Sequence, residues 1–377
     1  MRIAINTLAL LRNKAGAEQY TLNIINELAK IDKHNEYFII VSDVNYDIYS
    51  VEQSNFNIIH IKVNTYSKLK RILYEQIVVP FKLKQYKIDV LFNPCNIMPL
   101  FCPCETVAMI FDMHWFLESK KLSRLRVLYV KNFIKFTAKK ADKVLTLSES
   151  SKKDIIRFTK ISEHKIIITP VGKTPLCALK TKLKKQEWPG IKKNYNIERK
   201  YIMFLGQLLF RKNVDAVIKA LGLIKKEKIK LDFDFIVVGG KAEAYQSLLD
   251  LVKQNNLENE VKFLGQLEDR DTAYILSNAD MFVYPSLYEG FGIPILEAMY
   301  YGVPVITSDI SSLPEVGGKA CVYISPYNIE EIKKSILNML YNETLKSNNI
   351  EQGFLQAEKF SWENSANQTL SVFLSVQ

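Results

Sequence analysis

No run of this 377-residue chain is apolar for the length that a bilayer crossing needs, and Met1-Arg2-Ile3-Ala4-Ile5-Asn6 enters a strand pattern instead of a signal peptide. A cytoplasmic protein is expected. Cysteine is scarce: Cys95, Cys102, Cys104, Cys177 and Cys321 are odd in number and lack metal-ligand spacing. Cys102-Pro103-Cys104 is too short a loop for an ordinary zinc site, so all five are expected as free thiols, mostly buried. No Asp-x-Asp segment suits a divalent ion. Asp232-Phe233-Asp234 leads into an apolar run, and its expected role is solubility at a strand start. There is no short-period repeat and no low-complexity segment. No aromatic stacking pattern accompanies the basic charge, which argues against a nucleic-acid binder.

What is present is an ordinary globular composition, 48% hydrophobic and 24% charged, in a chain long enough for two cores. The net charge of +11 points to an acidic partner: an anionic lipid surface, nucleic acid or a phosphorylated substrate. Strand patterns at 2–6, 37–41, 58–63, 90–92, 107–111, 144–147 and 166–168 alternate with helical ones, among them 121–141 and 150–159. The pattern fails between Val171 and Lys200, around Gly172, Pro175 and Trp188-Pro189-Gly190, then resumes at 201–206, 233–239, 261–265, 281–284 and 303–307. The expected architecture is two tandem doubly wound α/β domains, Rossmann-like, with ligands at the carboxyl ends of the strands in an interdomain cleft. The expected boundaries are 1–172, a linker over 173–200, a second domain over 201–359, and a C-terminal helix over 360–377 that returns to the first domain.

The most informative stretch runs from Tyr284 to Thr307. Met281-Phe282-Val283-Tyr284 reads as a buried strand ending at Pro285, Pro294 fits the first helical position, and Gly302 with Pro304 marks the stop. Gly290 and Gly292 let backbone approach a ligand, so N–H groups at the helix start can face a phosphate. Glu289 and Glu297 bracket that anion site, as sugar hydroxyls on either side of a phosphate require. A strand, a glycine loop and a capped helix occur in any parallel α/β protein, so spacing alone does not decide. Phe204-Leu205-Gly206-Gln207-Leu208-Leu209-Phe210-Arg211-Lys212-Asn213 is a strand, a glycine, a loop and a helix start, with two cations placed to meet phosphate oxygens.

Tyr-Glu-Gly-Phe-Gly-x-Pro-x-Leu-Glu-Ala-Met at 288–299 resembles the Glu-x7-Glu segment of glycosyltransferase family 4, the retaining GT-B enzymes of the glycosyl transferases group 1. Gly206 to Asn213 is similar to the family's Gly-Thr-x3-Arg-Lys-Asn variant, with Gln207 as the departure. Gly16-Ala17-Glu18 resembles the glycine loop that faces the donor diphosphate. Val107 to Trp115 aligns with Thr-x-His-Asp, where Phe111 replaces the histidine, Asp112 keeps the aspartate and His114 stands two residues beyond it. Ala141 to Asp154 is similar to the Ala-Asp-x-Val-x3-Ser-x2-Ser segment, in which capping by Ser148 is the expected role. Ser311-Ser312-Leu313-Pro314-Glu315-Val316 and Phe360-Ser361-Trp362 also match.

The resemblance implies transfer of a hexosyl group, first mannose from GDP-mannose, to a lipid-linked or polysaccharide acceptor in surface glycan synthesis, without a metal or cofactor. Arg211 and Lys212 would take the diphosphate, and the N–H groups of Phe291, Gly292 and Ile293 the β-phosphate or sugar. Glu289 would take sugar hydroxyls and Glu297 the ribose. Gly16 and Gly206 complete the donor loops, Asp112 joins the catalytic set, and His114 and Glu315 are lesser sugar or acceptor contacts. A nucleotide-sugar epimerase of the same fold is the alternative. The basic and apolar stretch 121–135 reads either as an ordinary crossover helix or as a peripheral contact with an anionic membrane.

Overall fold

A computed structural model describes residues 1–12, 16–49, 51–117 and 124–376. The chain divides into two compact units, Met1–Gly172 with Ser361–Gln377, and Lys173–Phe360. Each unit holds one sheet in which every pairing is parallel. This is the pair of Rossmann-like domains expected from the alternating pattern.

The first sheet contains β1 (Arg2–Asn6), β2 (Glu36–Ser42), β3 (Phe56–Ile61), β4 (Val90–Asn93), β5 (Glu105–Met109), β6 (Lys143–Thr146) and β7 (Ile166–Ile168). Their order is β3-β2-β1-β4-β5-β6-β7. The strand sequence reverses direction at β1, which is where ligands of such sheets bind. Ile3, Ala4, Ile5, Leu91, Phe92, Val107 and Ala108 are fully buried, because helices cover both faces of a parallel sheet. The C-terminal helix Trp362–Ser375 packs on Gly16–Ile31, with Tyr20 edge-on to Trp362 at 5.7 Å and Phe92 against Phe373.

The second sheet contains β8 (Lys200–Leu205), β9 (Phe233–Val238), β10 (Val261–Gly265), β11 (Met281–Tyr284), β12 (Val305–Ser308) and β13 (Cys321–Ile324), in the order β10-β9-β8-β11-β12-β13. Its reversal lies at β8 and β11, the strands that lead into the Arg211-Lys212 loop and the Glu289 loop. The edge strand β13 is absent from the alternating series read above. Its four residues follow two glycines and offer too short a run to register as a strand.

The 173–200 segment, expected as a linker, is built into the second unit. It carries the helices Pro175–Ala178 and Trp188–Asn194, with Pro175 and Pro189 in their first turns, where a missing N–H costs nothing. Thr174 caps the first of them, and Tyr301 donates to the Leu176 carbonyl at 2.7 Å. Residues that looked like breakers are helix starters. Asp234 is a second correction. It does not solubilise a strand end but is fully buried, paired with Arg199 and, at 2.9 Å, with Lys262.

The cysteines are free thiols, with Cys177 and Cys321 buried and the other three half-buried. Among the described residues no helix is long and apolar enough to cross a membrane.

Gly239 follows β9 at φ +148°, and a Cβ there would stand 1.9 Å from the Gly206 carbonyl oxygen. The β8 and β9 loops therefore approach at a distance only glycine allows. Gly239→Ala is expected to lower stability by about 1–3 kcal/mol through backbone strain, with added displacement of the Gly206 loop. Urea unfolding checks this, and an unchanged midpoint would contradict it.

Candidate active site

The loop after β8 ends in a single turn, Phe210–Lys212, closed by Asn213 in the left-handed region at φ +57°. Asn213 holds that conformation by donating Nδ2 to the carbonyls of Pro285 (3.1 Å) and Pro326 (2.8 Å). The loop after β11 is fastened to the same turn: Leu287 N–H donates to the Arg211 carbonyl at 2.7 Å, and Ser286 Oγ donates to it at 3.0 Å. Two loops 70-odd positions apart in the chain thus form one surface.

Their side chains converge on one oxygen. Glu289 Oε1 receives Lys212 Nζ (2.6 Å), Ser286 Oγ (2.6 Å) and Tyr284 OH (3.0 Å), and lies 3.2 Å from Arg211 Nη1. Lys212 also donates to Tyr284 OH, and Arg211 Nη1 donates to the Tyr288 carbonyl at 2.9 Å. Lys212 and Glu289 are each 8% exposed. Burial pushes the Glu289 carboxyl upward, but Lys212 and Arg211 outweigh it and hold the group below its ordinary value. Glu289 is an anion, and it keeps buried Lys212 and half-buried Arg211 side by side.

The helix Ile293–Tyr301 starts immediately afterwards, with Gly292 as its cap at φ +112° and Pro294 in its first turn. A Cβ on Gly292 would lie 2.8 Å from Leu313 Cδ2, so close packing as well as φ demands glycine. Ser311 and Ser312 hold the approach: Ser311 Oγ accepts from Glu289 N–H (3.0 Å), and Ser312 Oγ donates to the carbonyls of Glu289 (3.0 Å) and Phe291 (2.7 Å). The first N–H groups of a helix have no acceptor within it, so this start is a positive end suited to an anion.

Glu297 lies further along the same helix, 7% exposed, and accepts from Thr174 Oγ1 at 2.6 Å. Burial raises its carboxyl to about 7, helped by the charge of Asp269 and opposed by the Thr174 bond. Gly206, at φ +153°, begins the cation loop, and Glu315 lies exposed in the short helix Leu313–Gly317.

In the first unit, Gly16 opens its helix and is exposed, while 13–15 of the preceding loop fall outside the described residues. His114 Nδ1 lies 2.5 Å from Asp112 Oδ1, which also accepts the His114 N–H. The histidine that follows the motif is therefore tied to the aspartate that the motif keeps. Phe111 packs edge-on to Tyr20 at 5.5 Å. Ser148 caps the helix Glu149–Thr159, as expected, by accepting from Ser151 N–H.

A pocket of about 230 Å³ that sequence reasoning missed lies in this unit, lined by Glu18, Arg71, Glu75, Cys95, Phe111 and Tyr129 among others. Glu75 is 6% exposed, 3.7 Å from Arg71, and burial raises its carboxyl to about 7. The available signal was a glutamate in register with Val79 and Leu83, the buried stripe of its helix.

Because the carboxyl of Glu297 is raised on folding, the native state holds its proton more tightly than the unfolded chain. Its adverse effect on stability is absent below the ordinary carboxylate pKa, grows as pH rises from there to about 7 and is constant above. Glu297→Gln is expected to match wild type near pH 4 and to be more stable near pH 8, by at most about 3 kcal/mol. Parallel thermal melts against pH check this, and superimposable curves would contradict it.

Comparison with known proteins identifies the family. The family model for glycosyl transferases group 1 matches residues 189–356. The O-antigen chain mannosyltransferase B of Escherichia coli is 32% identical over 299 residues, 77% of this chain and 75% of that protein. Among solved structures, WaaG, a glycosyltransferase involved in lipopolysaccharide biosynthesis, superposes with TM-score 0.72 at 17% identity over 99% of both chains. Anabaena HepE in complex with UDP-glucose superposes with TM-score 0.74 at 16% identity over 100% of both, a likeness of GT-B fold. With its second unit matching the group model and three quarters of a mannosyltransferase aligned at this identity, the chain belongs to the glycosyl transferases group 1.

Proposed function

We propose that this glycosyltransferase is a retaining family 4 enzyme that moves a hexosyl group, mannose from GDP-mannose, onto a hydroxyl of a lipid-linked or polysaccharide acceptor in surface glycan synthesis. The observation that carries the proposal is the cluster of buried Lys212 and Glu289 with half-buried Arg211, next to a glycine-capped helix start. When a sugar leaves a nucleoside diphosphate, negative charge builds on the departing phosphate, and cations and N–H dipoles held in place beforehand stabilise it.

Arg211 and Lys212 would bind the diphosphate, with the N–H groups of Phe291, Gly292 and Ile293 directed at the β-phosphate or sugar. Among the described residues the contacts of the Glu289 carboxylate with Lys212, Tyr284, Ser286 and Arg211 fall on Oε1, and Oε2 would take a sugar hydroxyl. Glu297, oriented by the bond from Thr174, would receive the ribose. The Gly206 loop would border the nucleotide, and Glu315 would make a lesser sugar contact. Gly16, with Asp112 oriented by His114, would serve from the first unit. The mannosyl donor and the surface glycan rest on the name of the Escherichia coli relative. Since Lys212, Arg211 and the helix start supply positive charge to the leaving group, transfer is proposed to need no metal or cofactor.

A lipid-linked acceptor would bring the protein, working from the cytoplasm, to the inner face of the membrane. Of the 121–135 stretch, read from sequence either as a crossover helix or as that contact, 121–123 and the side chains of 124–126 lie outside the described residues. The helix Arg124–Lys140 buries Ile134 and Ala138, and Lys131 and Lys135 stand over the Phe116 ring at 5.4 and 5.7 Å. These contacts favour the crossover role.

A thermal-shift panel of nucleoside diphosphates tests the donor site: GDP at a hundredfold excess over its dissociation constant is expected to stabilise by about 2.7 kcal/mol, and UDP by less. Lys212→Met should abolish the GDP shift and lower transfer by roughly a hundredfold or more. No shift with any diphosphate, or full transfer by the variant, would remove the site. Transfer is also expected to survive EDTA, and loss restored by a divalent ion would overturn metal independence.

A further inference from the structure

The helix Lys68–Gln85 of the first unit buries Glu75, Val79, Pro80 and Leu83. Its opposite side holds Leu69, Leu73, Ile77 and Phe81, which are 83%, 56%, 49% and 71% exposed. At four-residue spacing these side chains form a continuous row. Lys70 and Lys84 are exposed too, and the six residues share an arc of about 120° at 100° per residue, in which Pro80 is the one buried position. Glu75, the sole acidic residue of the helix, is on the buried side. The apolar surface continues beside the helix, where Leu100 N–H donates to Gln76 Oε1 at 2.8 Å and Phe101 is 68% exposed.

Single exposed apolar side chains are ordinary, whereas a row of four is an interaction surface. Its occupant follows from charge. A second copy of the chain would set Lys70 and Lys84 against the same lysines in a protein of net charge +11. An anionic bilayer satisfies both components: leucine, isoleucine and phenylalanine enter below the headgroups, and the lysines meet lipid phosphates at the edge. The crossover helix Arg124–Lys140 buries Val127, Ile134 and Ala138 and leaves only Leu128 and Tyr129 exposed among its described apolar side chains, a shorter patch than the row on the 68–85 helix.

We propose that Leu69, Leu73, Ile77 and Phe81, flanked by Lys70 and Lys84, seat the protein on an anionic phospholipid surface. The inference deepens the proposed function, on which it rests for the lipid-linked acceptor. It moves the membrane-facing surface from 121–135 to the 68–85 helix.

Sedimentation of the full chain with vesicles tests it. Wild type should sediment with vesicles of equal parts phosphatidylcholine and phosphatidylglycerol, and at least tenfold less with phosphatidylcholine alone. Leu73→Gln with Ile77→Gln, and separately Lys70→Gln with Lys84→Gln, should each lower partitioning roughly tenfold or more. Melting temperature and the GDP shift, read on the same samples, should stay as in wild type, because the substituted side chains are exposed. Absence of wild-type binding, unchanged partitioning of the Leu73→Gln, Ile77→Gln variant, or a dimer in light scattering that this variant dissociates would overturn the proposal. Lost vesicle binding with a retained GDP shift would sink the surface alone. Retained vesicle binding without any diphosphate shift would sink the donor-site reading alone.

Discussion

A carboxylate shared by two cations in a buried turn is the constraint on which the second unit is built. Lys212 and Arg211 stand next to each other in sequence and close in space, where mutual repulsion opposes both and burial opposes Lys212 most. Glu289 resolves this by ionising, and Tyr284 and Ser286 give its Oε1 two hydrogen bonds that cost no further charge. Because breaking such a pair leaves a buried charge uncompensated, the loop after β8 and the loop after β11 must keep their relative place. The serines at 311 and 312, the left-handed Asn213 and the glycine at 292 are the backbone's response to that demand.

The same cluster suits a site that exchanges one anion for another. On the proposed function, a diphosphate arriving at the helix start would meet cations already desolvated and oriented, with little reorganisation left to oppose charge development. Glu289 would be the counter-ion that keeps them in place between turnovers and would turn its second oxygen to the sugar. Glu297 is different in kind. It lies in the helix that follows the Glu289 loop, yet its environment favours the neutral acid, so two glutamates eight residues apart are separated by their surroundings into an anion and a group poised near neutrality.

Much of this was legible in the chain because local signals agreed. Buried parallel strands read as apolar runs, and Pro294 and Gly302 mark the start and stop of the Ile293–Tyr301 helix, where the structure has them. The Glu289 loop and the Arg211-Lys212 loop were each identifiable, but their mutual ion pairs depend on β8 and β11 being neighbours, which no local pattern states. What stayed hidden has physical reasons. Pro175 and Pro189 start helices where a breaker was read, since proline at a first turn and proline in a loop look alike. Asp234 passed for a surface residue because its partners, Arg199 and Lys262, come from other strands or their approaches. The 68–85 helix escaped notice because its outward row is as apolar as its inward one, with Pro80 inside, so no single stripe stands out.

The most direct measurement is a crystal structure of the protein with GDP. The account predicts the diphosphate within hydrogen-bonding distance of Lys212 Nζ, Arg211 and the N–H groups of Phe291 to Ile293, with Glu289 still bound to Lys212. A diphosphate held elsewhere, with the Lys212–Glu289–Arg211 cluster untouched and remote from it, would contradict the account.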